Sequence, residues 1–299
     1  MKHLPVRRIV TASIGRQNGV TLVELMVGIA VGLLVVAVAL GALMASRGVS
    51  GTVSESTALA QQASYAFRVI GQQVRQAGSL ELSLTPSIAP IASDALRSMT
   101  PVAFDPPDPT GLRPPFSRAS RTVVGDSDPS FTLGYQNYTE QITPPAPAST
   151  PVSSSLLRDC LGQNPATAAS GSVVATPVLS SKFQRNNSTN ELVCIGASGV
   201  GQPIIGNVTD MQIRYLQQAP LTTNLQYMGA SAVTANAASD TGGWTNIYAV
   251  EVCLELTGTE SSPTAGANYI NCSGTSTPYG DRIRMIFRNV YQIRSQSQI

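Results

Sequence analysis

Few residues in this chain are equipped for chemistry, and the most conspicuous is a lone carboxylate. Glu24 stands alone in an otherwise apolar run from Val20 to Ala45. Such a group costs up to about 3 kcal/mol at the centre of a bilayer, so it needs a countercharge or a place at headgroup level. The sole histidine is His3, and beyond Lys2 the only lysine is Lys182. Once the first residues are removed, no imidazole remains for a general base, a Ser-His-Asp triad or a histidine-containing metal site. Carboxylate-only or lysine-based chemistry stays open. Asp105, Asp108, Asp126 and Asp128 could contribute to a calcium site, but no EF-hand spacing surrounds them. Gly196, Gly199 and Gly201 lack the spacing of a nucleotide loop and read as a turn.

The charged residues are unevenly placed. Residues 1–19 carry Lys2, Arg7, Arg8 and Arg16 and no acid. Of the 19 lysines and arginines, these four leave 15 against 17 acids in the rest, a balance of −2 that favours neither nucleic acid nor an anionic surface. Leu25–Ala45 is long enough to span a bilayer. With the basic residues ahead of it, the positive-inside rule puts the N-terminus in the cytoplasm and the bulk of the chain outside. Three readings fit this segment: a plain single-span anchor, a secretory signal cut near Ala37, Ala39, Ala42 or Ala45, and a prepilin signal cut between Gly19 and Val20. In the third, Glu24 lies one turn from the new α-amino group, roughly 6 Å along the axis, and meets the N-terminus of a neighbour in a staggered bundle.

The elements that position these residues follow from periodicity. Val49, Val53, Ala60, Ala63, Phe67, Ile70 and Val74 recur mostly at helical spacing. Gln61, Gln62, Arg68, Gln72, Gln73, Arg75 and Gln76 fall on other faces, and Gly78 suits a C-cap. One helix over 20–78, roughly 90 Å long, is expected, its residues 20–45 in membrane or filament core and 46–78 an amphipathic continuation. Gly48 and Gly51 mark where it would bend.

Residues 79–299 are expected to form an extracytoplasmic β-rich domain. The stretch 79–155 is dense in Pro, Ser and Thr and reads as loops, with a strand at Phe131–Tyr135. Farther on, Ile247–Leu256 alternates with a clean apolar face: Tyr248, Val250, Val252, Leu254, Leu256. Met211, Ile213 and Tyr215 mark a second strand, and Ile283, Met285 and Phe287 a third. This antiparallel sheet should pack on the helical stripe, giving an α+β fold with a long N-terminal helix. Arg214, Glu251, Glu255, Arg284 and Arg288 would lie on a solvated outer face and pair across strands. Trp244 and Tyr248 read as packing residues.

The four cysteines include no CxxC, so a zinc site is disfavoured, and an outward-facing domain lies where disulfides form. Three connectivities are possible. Proximity in sequence favours Cys160–Cys194 and Cys253–Cys272, each adding about 3 kcal/mol. No cofactor or metal is expected.

Gly19-Val-Thr-Leu-Val-Glu24, continued by LMVGIAVGLL, resembles the N-terminus of type IV pilins and type II secretion pseudopilins. That resemblance implies a prepilin peptidase that cuts after Gly19 and methylates Val20, where the family usually has Phe or Met. Arg158–Gln163, Glu191–Cys194, Val208–Tyr215, Val250–Leu254 and Arg288–Val290 are similar in order to PilW-family minor pilins. The resemblance implies a non-enzymatic, low-abundance pilin in the inner membrane and then the pilus. Its implied partners are other minor pilins, the major pilin, the inner-membrane assembly platform and a tip adhesin. A type II secretion pseudopilin is the alternative within the class. A membrane-anchored binding protein or enzyme is the alternative outside it.

Overall fold

The computed structural model describes residues 19–80, 82–83, 103–104, 116, 121–125, 129–138, 140–143, 152–164, 178–218, 224–237, 243–261 and 266–293. Asp105, Asp108, Asp126 and Asp128 lie outside these residues, as do residues 1–18 and much of 84–120. Helix α1 runs Leu22–Gln76 without a break at Gly48 or Gly51. The chain divides into two compact units, Met1–Gly51 and Thr52–Ile299, and α1 contributes to each.

In the second unit the strands in order are β1 (Leu82–Ser83), β2 (Ala103–Phe104), β3 (Val123–Gly125), β4 (Ser130–Gln136), β5 (Glu140–Ile142) and β6 (Val152–Ser154). They continue as β7 (Val178–Asn186), β8 (Glu191–Ile195), β9 (Gly201–Ile205), β10 (Val208–Gln218) and β11 (Leu225–Met228). After helix α2 (Ala230–Ala237) come β12 (Ile247–Ser261), β13 (Asn268–Ile270), β14 (Ser276–Pro278) and β15 (Arg282–Gln292). A four-stranded antiparallel sheet has the order β11-β10-β12-β15, and a five-stranded one the order β3-β4-β7-β8-β9. The other strands pair as β1-β2, β5-β6 and β13-β14. The fold is therefore α+β, with two sheets where the sequence pattern indicated one. The second is hard to read from sequence because β7 sets the polar Ser181 on the same buried face as Leu179 and Phe183, interrupting the apolar alternation.

Residues Leu59, Ala63, Ala66, Ile70 and Val74 of α1, and Ala77 just beyond it, are buried in one core. That core takes Phe131, Leu133, Phe183 and Leu192 from the larger sheet and Met211, Tyr215, Val250, Val252, Leu254 and Leu256 from the smaller. Each fully buried Leu or Ile side chain contributes about 2 kcal/mol, far more than helix propensity, so packing holds this part of α1. Two positions of the expected stripe are corrected. Val53 is 58% exposed, whereas Gln73, placed on a polar face by the sequence pattern, is 3% exposed. Gln73 is tolerated because its Oε1 accepts from the Ser181 hydroxyl at 2.9 Å and the Tyr135 hydroxyl at 3.2 Å. Its Nε2 donates to the Arg158 carbonyl. Gly78, at φ 71°, ends the helix as expected and donates its N–H to the Gly134 carbonyl at 2.9 Å.

Close to the C-terminal turn of α1, Tyr291 of β15 lies over Gly71, where an added Cβ would come within 2.8 Å of its ring. Its hydroxyl donates to the Phe67 carbonyl at 2.7 Å. Burial pushes its pKa up to about 12 from 10.0. The unfolded chain therefore ionises first, and this contribution to stability is full below pH 10 and declines as pH rises toward 12. Tyr291→Phe is expected to flatten the loss of Tm between about pH 9 and about pH 11. Part of the slope should remain, because burial also raises the pKa values of Tyr135 and Tyr269. A slope identical to wild type would contradict this role for Tyr291.

Candidate functional site

Gly19, Val20 and Thr21 precede the helix without regular structure and are exposed, so the Gly19–Val20 bond lies on accessible chain. The helix begins two residues later than the periodicity suggested because Thr21 is its N-cap. Its hydroxyl oxygen accepts from the Glu24 N–H at 3.2 Å, and its carbonyl accepts from the Leu25 N–H at 3.1 Å. Thr21-Leu-Val-Glu24 has the spacing of a capping box, a signal in the sequence that would have located this start. Glu24 thus sits in the first helical turn, where a carboxylate also complements the positive end of the helix dipole.

Leu22–Met44 is a continuous 23-residue stretch with mean hydropathy 2.7, apolar and long enough to cross a membrane. None of its side chains is buried within the chain, and Leu22, Leu33, Leu34 and Val38 are each about two-thirds exposed or more. An apolar surface of this size needs lipid or other protein against it. Glu24 is the single ionisable group in it.

The Thr52–Ile299 unit carries the remaining candidate residues. Cys160 is joined to Cys194 and Cys253 to Cys272, with Cα–Cα distances of 6.3 and 5.7 Å. Beside the first bridge, Asp159 Oδ1 accepts from the N–H groups of Leu161 and Gln163, and Oδ2 from that of Ala197. This ties the loop preceding the bridge to the turn at 196–200, which joins β8 to β9 as expected.

The second bridge changes the character of the outer sheet face. Glu251 and Glu255 were expected in solvent, yet they are 8% and 4% exposed; the β13-β14 hairpin, tethered by Cys272, reaches Glu255 through Tyr269, and Arg288 lies beside Glu251. Glu255 Oε1 accepts from Arg284 at 2.8 Å and from the Tyr269 hydroxyl at 2.9 Å. Arg288 lies 3.6 Å from Glu251 and donates to the Cys272 carbonyl at 3.1 Å. Burial first, and then the hydrogen bond to Glu255, raise the Tyr269 pKa. The cross-strand ion pairs are present, but in a partly dry setting where losing one partner is costly.

At the opposite end of β12, Glu55 of α1 accepts from the N–H groups of Thr259 and Glu260 and from the Thr259 hydroxyl. This anchor has no sequence signal, since an exposed helical Glu usually has no tertiary partner. Trp244 packs edge-on against Tyr215 at 4.9 Å, as a packing residue should, whereas Tyr248 is 43% exposed. An open depression of about 440 Å³ is lined by Thr57, Ala60, Gln61, Ser64, Tyr65 and Arg68, all on α1. It holds no carboxylate, thiol or imidazole. Among the described residues no group of three His, Cys, Asp or Glu is arranged to hold a metal ion.

Residues 171–295 match the family of type IV pilus-assembly protein W, and residues 14–44 match the prokaryotic N-terminal methylation motif. No curated protein matches the sequence. Among solved structures, a type IV-like pilin from Thermus thermophilus aligns at 12% identity and a TM-score of 0.31. The alignment covers 59% of this chain and 83% of that one.

Proposed function

We propose that this chain, a type IV pilin-like minor pilin of the PilW family, is cut between Gly19 and Val20 and assembled through α1 into the tip of a pilus. The observation that carries the proposal is the 23-residue exposed apolar face of α1, headed by one carboxylate and preceded by an accessible Gly19–Val20 bond. Lys2, Arg7, Arg8 and Arg16 hold the N-terminus in the cytoplasm, leaving the disulfide-bonded unit outside. Before assembly, lipid covers Leu22–Met44. After the cut, the α-amino group of Val20 and the carboxylate of Glu24 supply one positive and one negative charge per subunit. In a staggered bundle each group neutralises its opposite on a neighbour.

This work is docking rather than catalysis. The partners are a prepilin peptidase, the inner-membrane assembly platform, other minor pilins, the major pilin and a tip adhesin. Low abundance and a role in priming assembly fit a subunit that shares the α1 docking element but carries its own outer domain. Twitching motility and adhesion would then depend on it indirectly.

Processing is the direct test. Wild-type protein from cells should begin with N-methylated Val20 by mass spectrometry, and Gly19→Val should accumulate as uncut precursor still carrying residues 1–19. A mature N-terminus beyond Ala45 would instead favour a secreted enzyme or binding protein.

A further inference from the structure

We propose that the end of β12 is a latch for α1. Glu55, seated in a bulge at Gly258–Glu260, holds residues 52–58 in helical form, and its release lets that stretch unwind as far as Leu59 while the core stays folded. The latch rests on the geometry of the Thr52–Ile299 unit and not on the function proposed above.

The stretch is weak by itself. Residues 48–57 read GVSGTVSEST, and apart from Glu55 each is glycine, serine, threonine or valine, all below glutamate in helix propensity. The Ser56 and Thr57 hydroxyls donate back to the Val53 carbonyl at 2.9 and 2.8 Å, a pattern that bends and slightly weakens a helix. No residue from 51 to 58 is buried, and burial begins at Leu59. The packing that holds α1 from Leu59 onward is therefore missing here, and an unpacked helix of this composition is marginal in water.

The receptor is made by the strand. Between Thr257↔Arg284 and Ser261↔Arg282, β12 advances four residues and β15 two, so Gly258, Thr259 and Glu260 fall out of the ladder. The register with β10 has already ended at Leu256. The successive N–H groups of Thr259 and Glu260 are thereby turned toward one point, an anion-binding arrangement. Glu55 Oε1 fills it, accepting from both amides, that of Glu260 at 2.8 Å, and from the Thr259 hydroxyl at 3.2 Å. Gly258 makes the room, since an added Cβ would lie 2.5 Å from the carboxylate carbon. The latch is poised rather than locked. Glu55 Oε2 is hidden from solvent with no hydrogen-bond partner among the described residues, and that cost offsets part of what Oε1 gains.

Hydrogen exchange by mass spectrometry on the full-length protein in detergent reads the latch directly, because amide protection reports local opening. In wild type the amides of 52–58 should be protected, though less than those of 63–74. Glu55→Ala should speed exchange in 52–58 at least tenfold and leave 63–74 unchanged. Alanine is the better helix former, so propensity alone gives the opposite sign. Gly258→Ala should act in the same way with Glu55 intact, because its methyl takes the place of the carboxylate at a φ that alanine adopts. The two substitutions together should speed exchange no further than either alone. Unchanged exchange in 52–58 in either variant, equal acceleration in 63–74, or a wild-type stretch that exchanges without protection would each overturn the latch.

Discussion

Glu24→Ala is expected to leave the protein in the inner membrane at wild-type abundance and to cut its share in sheared pili by tenfold or more. The two halves of that result have separate causes. Insertion depends on the length and hydropathy of Leu22–Met44, and alanine makes that stretch more apolar. Assembly, as proposed, depends on a charge pair removed from water. Deleting one member leaves the other uncompensated, a cost of about 3–5 kcal/mol for buried pairs, while tenfold in an equilibrium needs only about 1.4 kcal/mol. Glu24→Gln keeps a polar group of similar size without the charge and should fall with alanine if the charge is what docks. If it behaves as wild type, hydrogen bonding is sufficient and the charge-pair account is wrong. Helix capping cannot explain a large loss, because the Thr21 hydroxyl caps through the Glu24 N–H, which both variants retain.

The second large effect concerns the hairpin over the outer sheet face. Cys253→Ser combined with Cys272→Ser should lower the stability of the full-length protein in detergent by about 3 kcal/mol, the value for a loop of this length. A loss of that size would also follow from a bridge acting on the unfolded chain alone, so a further comparison is needed. The hairpin also dries Glu255, to which Tyr269 and Arg284 both donate. In the bridged protein Glu255→Ala leaves Arg284 and Tyr269 without their shared acceptor and should cost about 2–3 kcal/mol. Without the bridge the hairpin lifts, water replaces the carboxylate, and the same substitution should cost less by at least about 1 kcal/mol. Additive losses in a double-mutant cycle read by urea unfolding would show that the bridge and the carboxylate are independent.

Much of the amino-terminal site was legible because its physics is one-dimensional. Whether Leu22–Met44 is apolar and long enough for a bilayer, and whether basic residues precede it, are sums along the chain that no fold can alter. The disulfide pairing favoured by sequence distance coincides with the bridges in the structure, whose cysteines are 34 and 19 residues apart. Strands β10, β12 and β15 were visible because one face of each is apolar in strict alternation.

What the sequence by itself determined, then, is the membrane-length helix with its single acid and the strands whose faces differ in polarity. Tertiary structure alone decided that Gln73 is buried, that Glu55 holds the far end of β12, that a second sheet shares the core, and that Glu255 meets Tyr269 of a hairpin. The reason is common to all four. Each is a meeting of residues far apart in the chain, as the Tyr135 and Ser181 hydroxyls meet Gln73, and no local pattern records which distant residues will meet.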